Sequence, residues 1–165
     1  MAAEPSQELT EALRQLETIL GAKPVSDYAD GHTRWALHRT AIEHQAALPA
    51  LLRAVKAERD ASVASGVVGD VLEHLPPQER PIWVEALAPS VRGFSARRAH
   101  ELAVLESIRG GTFMGATDPD IIESWSDWLQ RRIATDVTTD QNVLRALAAR
   151  GRTKRIRHLA RETLC

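Results

Sequence analysis

From end to end, the apolar residues of this chain recur at i, i+3 and i+4, and proline, glycine, aspartate or serine interrupts each run. No segment alternates apolar and polar residues as a half-buried strand does. A chain patterned this way buries its apolar surface by packing helix against helix, so the fold class expected is all-α. With 165 residues it can enclose a substantial core, and a single domain over 1–165 is expected.

The punctuation places about nine helices. Ser6 caps the first, with Leu9, Leu13, Leu16 and Leu20 on one face and Gly21 and Pro24 as its stop. A loop over 25–31 leads to a helix from about His32 to Ala47, with Trp35, Ile42 and Ala46 expected inward. Pro49 lies in the first turn of a third helix through Leu51, Leu52 and Val55, ended by Glu58-Arg59-Asp60. A fourth carries Val63, Val67, Val68, Val71, Leu72 and Leu75 up to Pro76-Pro77. Pro81 opens a short helix with Trp83, Val84 and Leu87. Ser95 is expected to cap the next, with Leu102, Leu105 and Ile108, before the Gly-rich loop 110–117. Asp118-Pro119 opens one helix carrying Ile121, Ile122, Trp125, Leu129 and Ile133. Asp140 opens another with Val143, Leu144 and Leu147, broken at Gly151, and the last bears Ile156, Leu159, Ala160 and Leu164.

Two stretches repeat. Residues 51–71 read Leu-Leu-Arg-Ala-Val-Lys-Ala, then a polar break with Asp60, then Val63, Val67 and Val71. Residues 143–164 read Val-Leu-Arg-Ala-Leu-Ala-Ala, a break at Gly151-Arg152-Thr153-Lys154, then Ile156, Ala160 and Leu164. Each describes a helix, a tight turn and a second helix. The pattern resembles the HEAT-repeat family of α-solenoids, whose second helix opens Val-Arg, as Ile156-Arg157 does here, and carries an alanine near its centre, as at Ala160. Val63 lacks the arginine, since Ala64 follows, and the repeats are uneven in length. The resemblance implies stacked antiparallel helical hairpins and an extended surface for a macromolecular partner; an irregular helical bundle is the alternative.

No reactive constellation emerges. His32, His38 and His44 recur every six residues, roughly 600° of helical rotation, so they point to different sides. No His-Glu-x-x-His, P-loop ending or Gly-x-Ser-x-Gly occurs, so no catalytic residue, metal or cofactor is expected. Cys165 is the only cysteine and has no histidine beside it to activate a thiol. No apolar run reaches the ~20 residues of a membrane span, and the N-terminus lacks a signal-peptide pattern, so a cytoplasmic protein without membrane contact is expected. One enzymatic alternative stands on Trp125, Asp127 and Trp128: a helical-repeat DNA glycosylase uses aromatics and a carboxylate in a basic groove, although Trp125 also belongs to an apolar stripe.

Charge supplies the remaining lead. The net charge is −1, yet residues 141–165 carry +6, leaving −7 on the rest. Arg145, Arg150, Arg152, Lys154, Arg157 and Arg161 form the candidate anion- or partner-binding set, and the last three share one helix stripe within roughly 60°. Such a stripe suits successive phosphates, an acidic protein surface, or simply solvent outside a terminal helix. The expected function is a non-enzymatic adaptor or scaffold with a protein partner, the alternative being a nucleic-acid binder that uses this basic patch.

Overall fold

A computed structural model describes residues 4–115 and 118–165. Ten α-helices follow in order among them: α1 Gln7–Leu20, α2 Gly31–Ile42, α3 Leu48–Ala57, α4 Ala61–Val71, α5 Arg80–Ala86, α6 Arg92–Arg109, α7 Pro119–Ser124, α8 Asp127–Ala134, α9 Gln141–Arg150 and α10 Lys154–Leu164. Short 3-10 turns occupy Gln45–Ala47, Leu72–His74 and Pro89–Val91, and the described residues include no strand. The protein is all-α. None of the described helices is long and apolar enough to cross a membrane.

Short acceptor side chains cap most of these helices at their start. Ser6 Oγ accepts from the Leu9 amide at 3.2 Å, and Asp30, Asp60, Asp118 and Asp140 each accept first-turn amides of the helix that follows. Each such cap contributes about 1 kcal/mol by satisfying a donor that the helix itself leaves open. Gly21 ends α1 in the left-handed conformation at φ 61°, where a side chain would be strained.

The chain divides into two compact units, Met1–Ala99 and His100–Cys165. In the first, α1 packs on α3 and α2 packs on α4, with α1 also against α2. Leu9, Leu13 and Leu16 are completely or almost completely buried between them, as are Leu51, Val67, Val68 and Val71; each leucine contributes about 2 kcal/mol by leaving water. In the second unit α9 packs on α10, α8 on α10 and α7 on α9. Its core joins Leu105, Ile122, Trp125, Leu129, Ile133, Leu147 and Ile156.

Four local expectations need correction. The helix expected over 32–47 stops at Ile42, because the His44 ring takes the Thr40 carbonyl (Nδ1 to O, 2.9 Å) and the chain continues as a 3-10 turn. Ala46 is therefore exposed, Trp35 is only half-buried, and Arg34 and His38 are the inward residues. Ser95 caps nothing. The turn from Pro89 runs directly into α6 at Arg92, leaving Ser95 inside the helix and fully buried. The single helix expected after Asp118 is two helices, since Trp125 is extended (φ −66°, ψ 144°) and Ser126 caps a new start. Gln130 stabilises that break from the core: its amide donates to the Ile122 and Trp125 carbonyls at 3.1 and 3.3 Å, and its oxygen accepts the Arg152 amide at 2.9 Å. The Gly-rich loop is described over 110–115; Ala116 and Thr117 lie outside the described residues.

Candidate partner-binding groove

Arginines engage the carbonyls that helix ends leave open, and the candidate basic residues belong to that pattern. Arg157 Nη1 donates to the Gly151 carbonyl at 2.6 Å, and Arg161 Nη2 to the Ala148 carbonyl at 3.2 Å, both at the C-terminus of α9. Arg152 donates to the carbonyls of Glu123 (3.1 Å) and Trp125 (2.8 Å) and lies 3.4 Å from the Asp127 carboxylate. Arg150 pairs with Glu123 at 3.1 Å across an exposed surface, and Arg145 donates to Asn142 and Gln141 on its own helix. Of the six candidates, Lys154 is the one that no hydrogen bond or ion pair engages among the described residues, and it is exposed. The stripe on α10 thus exists, with two of its three cations turned onto α9.

The Trp125–Asp127–Trp128 trio is arranged as structure. Trp125 is 6% exposed and its ring meets Phe113 at a centroid distance of 5.5 Å. Trp128 borders the same core, with the Arg132 guanidinium 5.3 Å over its ring. The Asp127 carboxylate faces Arg152. Among the described residues, no group of three or more His, Cys, Asp or Glu side chains is placed to hold a metal ion.

The first unit holds a shallow, open feature. Between α2 and α4 lies a groove of ≈ 560 Å³ bordered by Asp30, Gly31, His32, Trp35, Asp60, Ser62, Val63 and Gly66. Its geometry follows from two small residues. A Cβ on Gly66 would stand 2.7 and 2.8 Å from Cζ3 and Cη2 of the Trp35 ring, so only glycine lets that end of the indole come so close to α4. Gly31, at the first position of α2, keeps the wall low: a Cβ there would meet only Val63, Asp60 and Arg34, none nearer than 3.6 Å.

Two carboxylates stand at the same end. Asp30 accepts from the Thr33 hydroxyl at 3.0 Å and from the His32 and Thr33 amides; the hydroxyl bond, then the His32 amide, holds its pKa below the ordinary value. Asp60 uses Oδ1 for the Ser62 and Val63 amides, which leaves Oδ2 without a hydrogen bond among the described residues. Farther along the same two helices, a second hollow of ≈ 270 Å³ is bordered by Arg39, Ile42, Glu43, Asp70, Glu73 and His74.

A buried polar cluster borders a separate hollow of ≈ 270 Å³, next to Gly31 and Asp60. Arg34 binds Glu58 through two bonds, 2.8 and 3.1 Å, and donates to the Tyr28 and Ala29 carbonyls at 2.7 and 3.0 Å. This pair fixes the loop entering α2 to the turn between α3 and α4, the two segments from which Asp30 and Asp60 border the groove. His38, one turn on, is fully buried, and neither ring nitrogen has a hydrogen-bond partner among the described residues. Burial pushes its pKa down to about 4; Glu58 opposes the shift and Arg34 adds to it.

The helical spacing of the sequence predicts Trp35 in the core and marks only the valine face of α4. The signal available was the opposite face, Ser62, Ser65, Gly66 and Gly69, too small to cover a neighbour by itself. No protein-family model matches this chain, and no curated protein or solved structure matches it either.

Proposed function

We propose that this chain is a non-enzymatic helical-repeat interaction protein, an adaptor or scaffold that binds a polypeptide partner along the face formed by α2 and α4. The groove at Trp35 carries this reading: an indole held half-open by Gly66, with carboxylates at one end, offers contact area without any reactive group. The packing of α1 on α3 with α2 on α4, and of α7 on α9 with α8 on α10, supports a HEAT-like stacking of hairpins within each unit. A lone, unpaired cysteine suits a reducing, cytoplasmic setting.

Affinity purification of the tagged chain tests the proposal, with Trp35→Ala and the pair Lys154→Glu/Arg155→Glu run beside it. A stoichiometric polypeptide that Trp35→Ala loses and the charge-reversed α10 retains is the expected result. Nucleic acid that only the α10 variant loses would overturn it in favour of binding through the basic patch.

A further inference from the structure

We infer that the α2–α4 groove accepts a lysine or arginine side chain from a basic segment of its partner, held over the Trp35 ring with its charge toward Asp60 and Asp30. This deepens the interaction reading and rests on it.

The chemistry follows from what borders the cavity. An indole face exposed in a concavity binds alkyl and guanidinium groups well, and a cation above it gains from the ring quadrupole. Gly66 lets one end of the Trp35 ring approach α4 closely, and a Cβ at Gly31 would lie 3.7 Å from Asp60 Oδ2, so glycine there leaves that carboxylate open. Asp60 Oδ2 has an unused acceptor face, and it stands with Asp30 at that end of the groove, beside His32 and the Glu58-paired Arg34. A guanidinium bridging ring and carboxylate would complete both at once. An anionic ligand would meet two carboxylates instead, so phosphate groups do not fit.

A second cation is accommodated on the same line. Asp70 lies ten residues along α4 from Asp60, a rise of roughly 15 Å, and borders the hollow shared with Glu43, Glu73, Arg39 and His74. An extended segment covers that distance in about four to five residues. The occupant is therefore a short stretch of polypeptide with basic side chains about four to five residues apart.

The two carboxylates can be neutralised without loss of folding, because asparagine caps a helix as well as aspartate does. The probe is a fluorescein-labelled hexa-arginine peptide, with hexaglutamate and spermine as comparisons, followed by anisotropy at two salt concentrations. The intact chain should bind hexa-arginine saturably and spermine more weakly, with hexaglutamate not bound. Asp30→Asn/Asp60→Asn should weaken hexa-arginine about tenfold or more, the loss expected when a charge-assisted contact is removed. Gly66→Ala, which displaces the ring, should weaken it about threefold. Glu79→Gln, an exposed carboxylate outside the groove, should leave it unchanged. Thermal melts of each variant separate lost binding from lost fold.

Equal affinity in the intact chain and the double asparagine variant would overturn the inference, as would no binding at all. If a purified partner is lost with Trp35→Ala yet retained by the double asparagine variant, the interaction reading stands and the cationic ligand does not.

Discussion

His38 provides a sharp test of the buried cluster around Arg34 and Glu58. It is fully buried without hydrogen-bond partners among the described residues, and its pKa is about 4 in the fold against about 6.5 in an unfolded chain. Between those values the unfolded chain binds a proton that the folded chain refuses, so stability rises with pH across that window. The contribution is complete above pH 6.5 and is lost progressively as pH falls toward 4. At pH 5 the linkage relation gives a loss of about 2 kcal/mol relative to pH 8. For a unit of this size that corresponds to a fall in Tm of roughly 10 °C. Urea unfolding of the intact chain and of His38→Leu, measured at intervals from pH 8 to 5, isolates the effect from the exposed histidines. The leucine variant should lose that slope and gain about 1–3 kcal/mol at pH 7, because an unsatisfied buried group is removed. A leucine variant with the same pH slope as the parent would contradict this assignment, and so would a parent stable to the same extent at pH 5 and pH 8.

Three further substitutions follow from the packing. Glu58→Gln leaves the Arg34 guanidinium buried beside a neutral partner and should destabilise the first unit by about 3 kcal/mol in denaturant titration. Gly151→Ala places a Cβ 2.6 Å from the Leu147 carbonyl and 2.7 Å from Ile156, and should cost the second unit about 2 kcal/mol. Gly31→Ala, where the nearest atom is 3.6 Å away, should instead stabilise by roughly 0.5–1 kcal/mol, read as a higher Tm.

What could be read from the sequence was local. Ser6, Asp60, Asp118 and Asp140 announce helix starts because a short acceptor side chain satisfies amides in its own turn, and all four do so here. The leucine and valine stripes of α1, α4 and α9 face the core because their spacing leaves no other buried face. Features that depend on a distant neighbour were not legible. The helix expected through Trp125 breaks because Gln130 and Arg152 reach its freed carbonyls, and Arg152 comes from 27 residues away along the chain. Arg157 and Arg161 read as a free stripe on a helical wheel, which cannot show that α9 presents open carbonyls beside them. Trp35 shares its turn with inward residues, yet its ring ends on Gly66 of another helix, so the groove exists only once α2 and α4 are paired.

The most direct measurement of the groove's role is an amide and indole NMR titration of the labelled chain with the hexa-arginine peptide. Binding where the geometry places it shifts the Trp35 indole and the amides of Gly31, Ser62 and Gly66 together, in a saturable and salt-sensitive way. Shifts confined to α10, or scattered evenly over every acidic surface, would contradict a binding face between α2 and α4.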